Sequence, residues 1–97
     1  MSEKPPRGLS RQAQQLWKRL TDEFDFDDAG LILLLTCLQA HDRMIEARKI
    51  LKLEGLVSKD RWGQPRVHPL TVVERDARSQ FMQGLKLLGV HIPDGGK

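Results

Sequence analysis

No proline occurs between Pro6 and Pro65. Within that interval, roughly Ala29 to Glu54 consists mostly of leucine, isoleucine, alanine and long charged side chains. Proline removes a backbone donor and clashes with the preceding turn, so its absence lets one long helix run unbroken. Gly55 follows, suited to the left-handed conformation that closes a helix. In a chain of 97 residues, every other element must pack along such a helix. Its apolar residues exceed one stripe. Leu31, Leu35, Leu38 and Ile45 mark one face; Leu34, Cys37, Met44, Ala47 and Leu51 mark a neighbouring one. Ile32, Leu33, Ile50 and Leu53 widen the band. A helix apolar around much of its circumference is central in a bundle, shared with another subunit, or both.

Two shorter helices flank it. Ser10 is placed as an N-cap, with Leu9 as a hydrophobic staple, and Ala13, Leu16, Trp17 and Leu20 recur on one face. The first helix is therefore expected over Arg11 to Glu23. The turn "TDEFDFDDAG" that follows lacks the glycine and terminal glutamate of a calcium loop. Asp27 or Asp28 suits the start of the long helix, where a carboxylate meets the positive end of the dipole, and Phe24 and Phe26 are expected to point inward. The last helix should begin near Pro69, its face formed by Leu70, Val73, Ala77, Phe81, Gly84, Leu85 and Leu88. Gly89 closes it.

Between the long helix and the last lies "GLVSKDRWGQPRVHPL". Leu56–Ser58 and Pro65–Val67 are β-capable, and Gly63 offers a turn, so a small hairpin is expected. Pro65 restricts it to edge pairing. Trp62, flanked by Lys59, Arg61 and Arg66, has two readings: folded back on a helix, or in contact with another subunit or DNA. The fold class expected is all-α in the main, a three-helix core with a long central helix and a short β-hairpin or irregular loop between helices 2 and 3. Its expected divisions are a flexible arm at 1–9, a single helical oligomerisation domain at 10–89, and a short tail at 90–97.

Composition bounds the function. The hydrophobic share, 39%, supports one modest core, and a chain this short is marginal alone, which oligomerisation can remedy. The single cysteine, Cys37, cannot form an internal disulfide and lies in an apolar run, as a small core residue does. No apolar signal core opens the sequence, and Leu31 to Leu35 is too short to cross a membrane. A soluble, cytoplasmic protein is the expectation. Phosphate-loop and dinucleotide fingerprints are absent, and His41, His68 and His91 are scattered, with no CxxC or HExxH spacing. The expectation is no catalytic residue, no metal and no cofactor.

Taken in order, these features resemble a family of phage terminase small subunits. Pro5, Pro6, Leu9, Ser10, Ala13 and Trp17 are similar to the family's opening. An acidic residue then opens the long helix (Asp27 or Asp28), a glycine ends it (Gly55), and a variable hairpin leads to His68-Pro69. "LLGVHIP" is similar to its close, through Leu88, Gly89, Val90 and Pro93. Where the family often continues with a Ser-Arg pair and a longer tail, this sequence has Asp94, Gly95, Gly96 and Lys97. The resemblance implies a non-catalytic subunit in the host bacterial cytoplasm. It would bind double-stranded viral DNA, assemble as a homo-oligomeric ring, and recruit or regulate the large subunit that carries the packaging ATPase and nuclease. In a ring, part of the apolar band of the long helix would face the next copy. Leu31, Ile32, Leu34, Leu35, Leu38, Met44 and Ile45, with Trp62, are the candidate contacts.

Charge supplies candidate DNA contacts. The formal net charge is +3, compatible with nucleic acid without being diagnostic. Residues 1–20 hold Lys4, Arg7, Arg11, Lys18 and Arg19 against Glu3 alone. Residues 43–66 hold Arg43, Arg48, Lys49, Lys52, Lys59, Arg61 and Arg66 against Glu46, Glu54 and Asp60. One candidate surface is therefore Arg7, Arg11, Lys18 and Arg19; the other is Arg48, Lys49, Lys52, Lys59, Arg61 and Arg66. A solvated face, with Glu46 and Glu54 as local partners, is the competing reading for the basic end of the long helix. Three other functions also fit to varying degrees: a small helical DNA-binding regulator using the last helix, a structural phage assembly component without DNA affinity, and an enzyme. A hairpin rather than a helix-turn-helix precedes the last helix, which disfavours the first.

Overall fold

The computed structural model describes residues 4–90. Its elements are α1 (Arg11–Glu23), α2 (Asp28–Glu54), β1 (Val57–Lys59), β2 (Pro65–Val67) and α3 (Leu70–Leu88). The fold is thus the expected one, mainly helical with a long central helix and an antiparallel hairpin between α2 and α3. The first three residues of the expected arm and the tail beyond Val90 lie outside the described residues.

Local chemistry sets the helix ends. Ser10 Oγ accepts from the Ala13 N–H at 3.1 Å, satisfying a donor the first turn cannot use. The staple expected at Leu9 is replaced by a polar link. The residue four into the helix is Gln14, which donates to the Leu9 carbonyl at 3.2 Å, while the Leu9 side chain enters the core. Ser10 also donates its N–H and hydroxyl to the Asp42 carboxylate, at 2.8 and 2.5 Å. Asp42 lies midway along α2, so this pair aligns α1 antiparallel to the first half of α2. Asp27 caps α2, accepting from the Gly30 N–H at 2.7 Å.

Gly55 departs from expectation. Its φ is 87° but its ψ is 160°, a positive-φ extended conformation essentially confined to glycine, which sends the chain straight out into β1. At Gly89, φ 74° and ψ 18° are left-handed helical. The Gly89 N–H donates to the Lys86 carbonyl and the Val90 N–H to the Leu85 carbonyl, each at 3.0 Å. That is the Schellman pattern, completed by burial of Val90 in the cluster that holds Leu85. Leu9 and Val90, placed by the sequence in the arm and tail, are thus part of the packed unit.

The start of α3 owes more to His68 than to Pro69. His68 Nδ1 accepts from the Leu70 N–H at 3.1 Å, and its carbonyl accepts from the Thr71 hydroxyl at 2.8 Å. Its Nε2 lies 2.8 Å from Glu54 Oε1. An Nδ1 that accepts leaves the proton on Nε2, where it can be donated to Glu54. One imidazole therefore ties the end of α2 to the start of α3 across the base of the hairpin.

The core resolves the broad apolar band of α2. The face carrying Leu34, Cys37, Met44, Ala47 and Leu51 is buried throughout. Leu34 and Leu38 are fully enclosed, at 0% exposure. Around them gather Leu9, Ala13, Trp17 and Leu20 from the N-terminal side, and Leu85 and Val90 from the C-terminal side. Gly84 permits a close approach of α3 to α2: a Cβ there would meet the Cys37 Cβ and Sγ at 3.0 Å. Phe26 packs against this core, whereas Phe24 stays exposed beside it, correcting the expectation that both rings turn inward. The two share only a tilted contact, with centroids 6.0 Å apart.

Length decides the overall shape. The 27 residues of α2 span about 40 Å, and the 13 of α1 about 20 Å. Helix α1 can therefore cover only half of α2. Beyond Asp42, α2 packs mainly against α3, where Met44, Ala47, Leu51 and Ala77 are buried, while Gly8, Leu9 and Ser10 flank only its Ile45 and Lys49 side. The result measures 57 × 31 × 22 Å, with a radius of gyration of 16.3 Å, where a compact domain of this length has about 12–13 Å.

Candidate nucleic-acid interface

The hairpin projects from the two-helix end. Val57 pairs with Val67, Ser58 with Arg66 and Lys59 with Pro65. All six of these residues are exposed. Just below the strands, the His68 N–H donates to the Leu56 carbonyl at 2.8 Å. Strand residues alternate faces, so Leu56, Ser58 and Arg66 share one side of the ribbon, and Val57, Lys59, Pro65 and Val67 the other. A two-stranded ribbon covered on neither face is marginal alone. Its turn is pinned instead by Asp60. The Asp60 Oδ1 accepts from the Trp62 and Gln64 N–H groups, both at 2.9 Å. The hairpin's single carboxylate is thus committed to its own backbone.

Trp62 does not fold back on a helix. It is 72% exposed, and the Arg61 guanidinium lies over its ring, 4.6 Å from the centroid, within range of a cation–π contact. Lys59, Arg61 and Arg66 make no ion pair among the described residues, and neither do Lys49 and Lys52. Arg48 differs: its Nε meets Glu74 Oε2 at 2.9 Å. The local partners expected for this end of α2 give way to cross-helix ones. Arg48 pairs with Glu74, Arg43 donates to Gln80 at 2.8 Å, and Glu54 is engaged by His68.

The second basic cluster is thus divided by the fold. Arg48 and Lys52 line a shallow cleft with Leu51, Leu56, Glu74 and Arg78. Lys49 turns to the other side, sharing a depression with Gly8, Leu9, Ser10, Ile45 and Glu46. The first cluster is more dispersed. Arg7, Arg11, Lys18 and Arg19 are all exposed. Arg11 and Lys18 fall on the solvent side of α1, whereas Arg19 borders a groove with Leu16, His41 and Ile45. Arg78 of α3 was in neither candidate cluster. Its spacing from Glu74 marks a helix pair, but only the antiparallel docking of α3 brings both beside Arg48.

The candidate subunit contacts separate just as sharply. Leu34, Leu38 and Met44 are buried within this chain, so they serve its own core and are corrected as contacts for a second copy. Leu31, Leu35 and Ile45 are half-buried. Ile32 is 67% exposed, and with Trp62 it presents apolar surface to solvent. Leu53, at 87%, and Leu87, at 75%, were not among the expected contacts yet are the most exposed leucines.

Reactive chemistry is subdued. Burial pushes the Cys37 thiol up to about 11, against a smaller lowering by a backbone hydrogen bond at Leu85, and its Sγ lies 3.2 Å from the Phe81 carbonyl oxygen. At neutral pH it is a protonated core residue. Among the described residues no cluster of His, Cys, Asp and Glu could hold a metal ion. No helix among them is long and apolar enough to cross a membrane. No family model, curated protein or solved structure matches the chain.

Proposed function

We propose that this chain is a non-catalytic small subunit of a phage terminase. In this reading it binds double-stranded viral DNA as a homo-oligomeric ring and recruits or regulates the large subunit that carries the packaging ATPase and nuclease. The observation that carries the reading is the exposed basic hairpin, set at one end of a helical unit that leaves Ile32, Leu53 and Leu87 uncovered. A β-ribbon is narrow enough to enter a DNA groove, and unpaired lysines and arginines supply the phosphate contacts that dominate affinity. Exposed aliphatic side chains on so small a core are consistent with burial against further copies. Contacts between different patches close into rings when the rotation allows.

The resemblance in sequence supplies the rest of the reading: the proline-containing arm, the acid-capped central helix, the glycine, the hairpin, His68-Pro69 and the closing Leu-Gly. The test is solution mass by light scattering coupled to size exclusion, at low and moderate salt, with and without a DNA duplex. The expected result is a discrete oligomer of several subunits that co-elutes with the duplex. A chain that stays monomeric throughout and leaves the duplex free would contradict the proposal.

A further inference from the structure

We infer that the cleft between the end of α2 and the start of α3 receives a backbone phosphate of double-stranded DNA, with Arg78 as a contact and Glu74 as a carboxylate that competes with the phosphate for it. The inference rests on the DNA-binding reading above and says where on the molecule the strand runs. Three cations, Arg48, Lys52 and Arg78, surround one carboxylate, Glu74, in an open cleft. Glu74 Oε2 holds Arg48 Nε at 2.9 Å, and its Oε1 lies 3.8 Å from the Arg78 guanidinium. The Glu74 side chain is only 14% exposed, while those of Arg48 and Arg78 are about half exposed. A carboxylate at the floor is thus shared by two guanidiniums that remain about half exposed. That leaves the cleft with a surplus of positive charge and fork-shaped donors, which suit phosphate oxygens.

Continuity with the hairpin points to a duplex rather than an isolated anion. Leu56 forms one wall of the cleft, and strand alternation puts Ser58 and Arg66 on the same side of the ribbon as Leu56. A strand passing the ribbon on its Arg66 side thus meets Lys52, Arg48 and Arg78 next. Lys59, on the opposite side of the ribbon, is directed away from that path. Arg75 is a neighbour in sequence and more exposed than Arg78, but it pairs with Asp76 at 3.5 Å and does not line the cleft. It serves as the internal control.

The experiment is fluorescence anisotropy of a labelled duplex against the full chain over a range of salt, with melting followed in parallel. Arg78→Ala should weaken binding several-fold and lower the salt slope by about one, and Arg75→Ala should leave both unchanged. Glu74→Gln should strengthen binding, because it removes a competing carboxylate while keeping the side chain's shape. A merely structural Glu74 would show weaker binding, or none of this gain, alongside a lower melting temperature. Arg78→Lys should keep the salt slope and lose only part of the affinity. The inference is overturned if Arg78→Ala binds like the parent chain, if Arg75→Ala weakens binding equally, or if Glu74→Gln fails to tighten it. A parent chain that binds no duplex would instead overturn the reading on which the inference rests.

Discussion

The two ends of this molecule use the same residue types for opposite purposes. At the three-helix end, Trp17, Leu20, Leu34 and Leu38 are enclosed, and the Ser10–Asp42 pair locks α1 onto α2. At the hairpin end, Trp62, Leu53, Val57 and Val67 face solvent, and His68 ties the hairpin's base to Glu54. Apolar side chains stabilise a fold by leaving water, so those of the hairpin end contribute little to this chain's own folding. The contrast suggests a division of labour: one end holds the fold, and the other is built for contact.

The strongest way to break that contrast is to delete a core group and a hairpin group of the same kind. Leu34→Ala removes a fully enclosed side chain and should cost about 3–4 kcal/mol, since α1 and α3 cannot collapse together over the gap. Val67→Ala, at 67% exposure, should change stability by less than about 0.5 kcal/mol. Urea unfolding of both variants checks this. Similar losses at the two sites would mean that the hairpin is part of the fold's support.

A smaller effect sharpens the same point at the three-helix end. Asp42→Ala frees the Ser10 N–H and hydroxyl and should cost about 1–2 kcal/mol, as for hydrogen bonds to a charged acceptor. Ser10→Ala should cost about 1 kcal/mol through the lost cap in addition to the lost link. In a double-mutant cycle the two should fall short of additivity, because they share one interaction. Full additivity would show that the pair does not couple α1 to α2.

What could be read from the sequence was mostly local. Ser10, Asp27 and Gly89 end helices through bonds to residues a few positions away, so their roles follow from residue type and spacing. The hairpin followed from Gly63 and its β-capable flanks for the same reason. Choosing among the stripes of α2 was different. Ile32, Leu34 and Leu38 look alike as sequence, and which of them is buried depends on where α1 and α3 lie. The reach of α1, which stops at Asp42, also decides that Lys49 and Lys52 are uncovered. The Arg48–Glu74 pair depends on the register of two antiparallel helices, and Phe24 on the path of a four-residue connection. Gly55 was correctly placed at the helix end, but its extended ψ answers to the strand that follows.

The most direct test of the central claim is to remove the charge of the hairpin and ask what is lost. A chain carrying Lys59→Ala, Arg61→Ala and Arg66→Ala would be compared with the parent by thermal melting and by duplex affinity across salt. The account predicts an unchanged melting temperature, much weaker duplex binding, and a salt slope reduced by about two, from Arg61 and Arg66, with Lys59 on the far side of the ribbon contributing little. Unchanged DNA affinity, or a collapse of the fold with the charges, would contradict it.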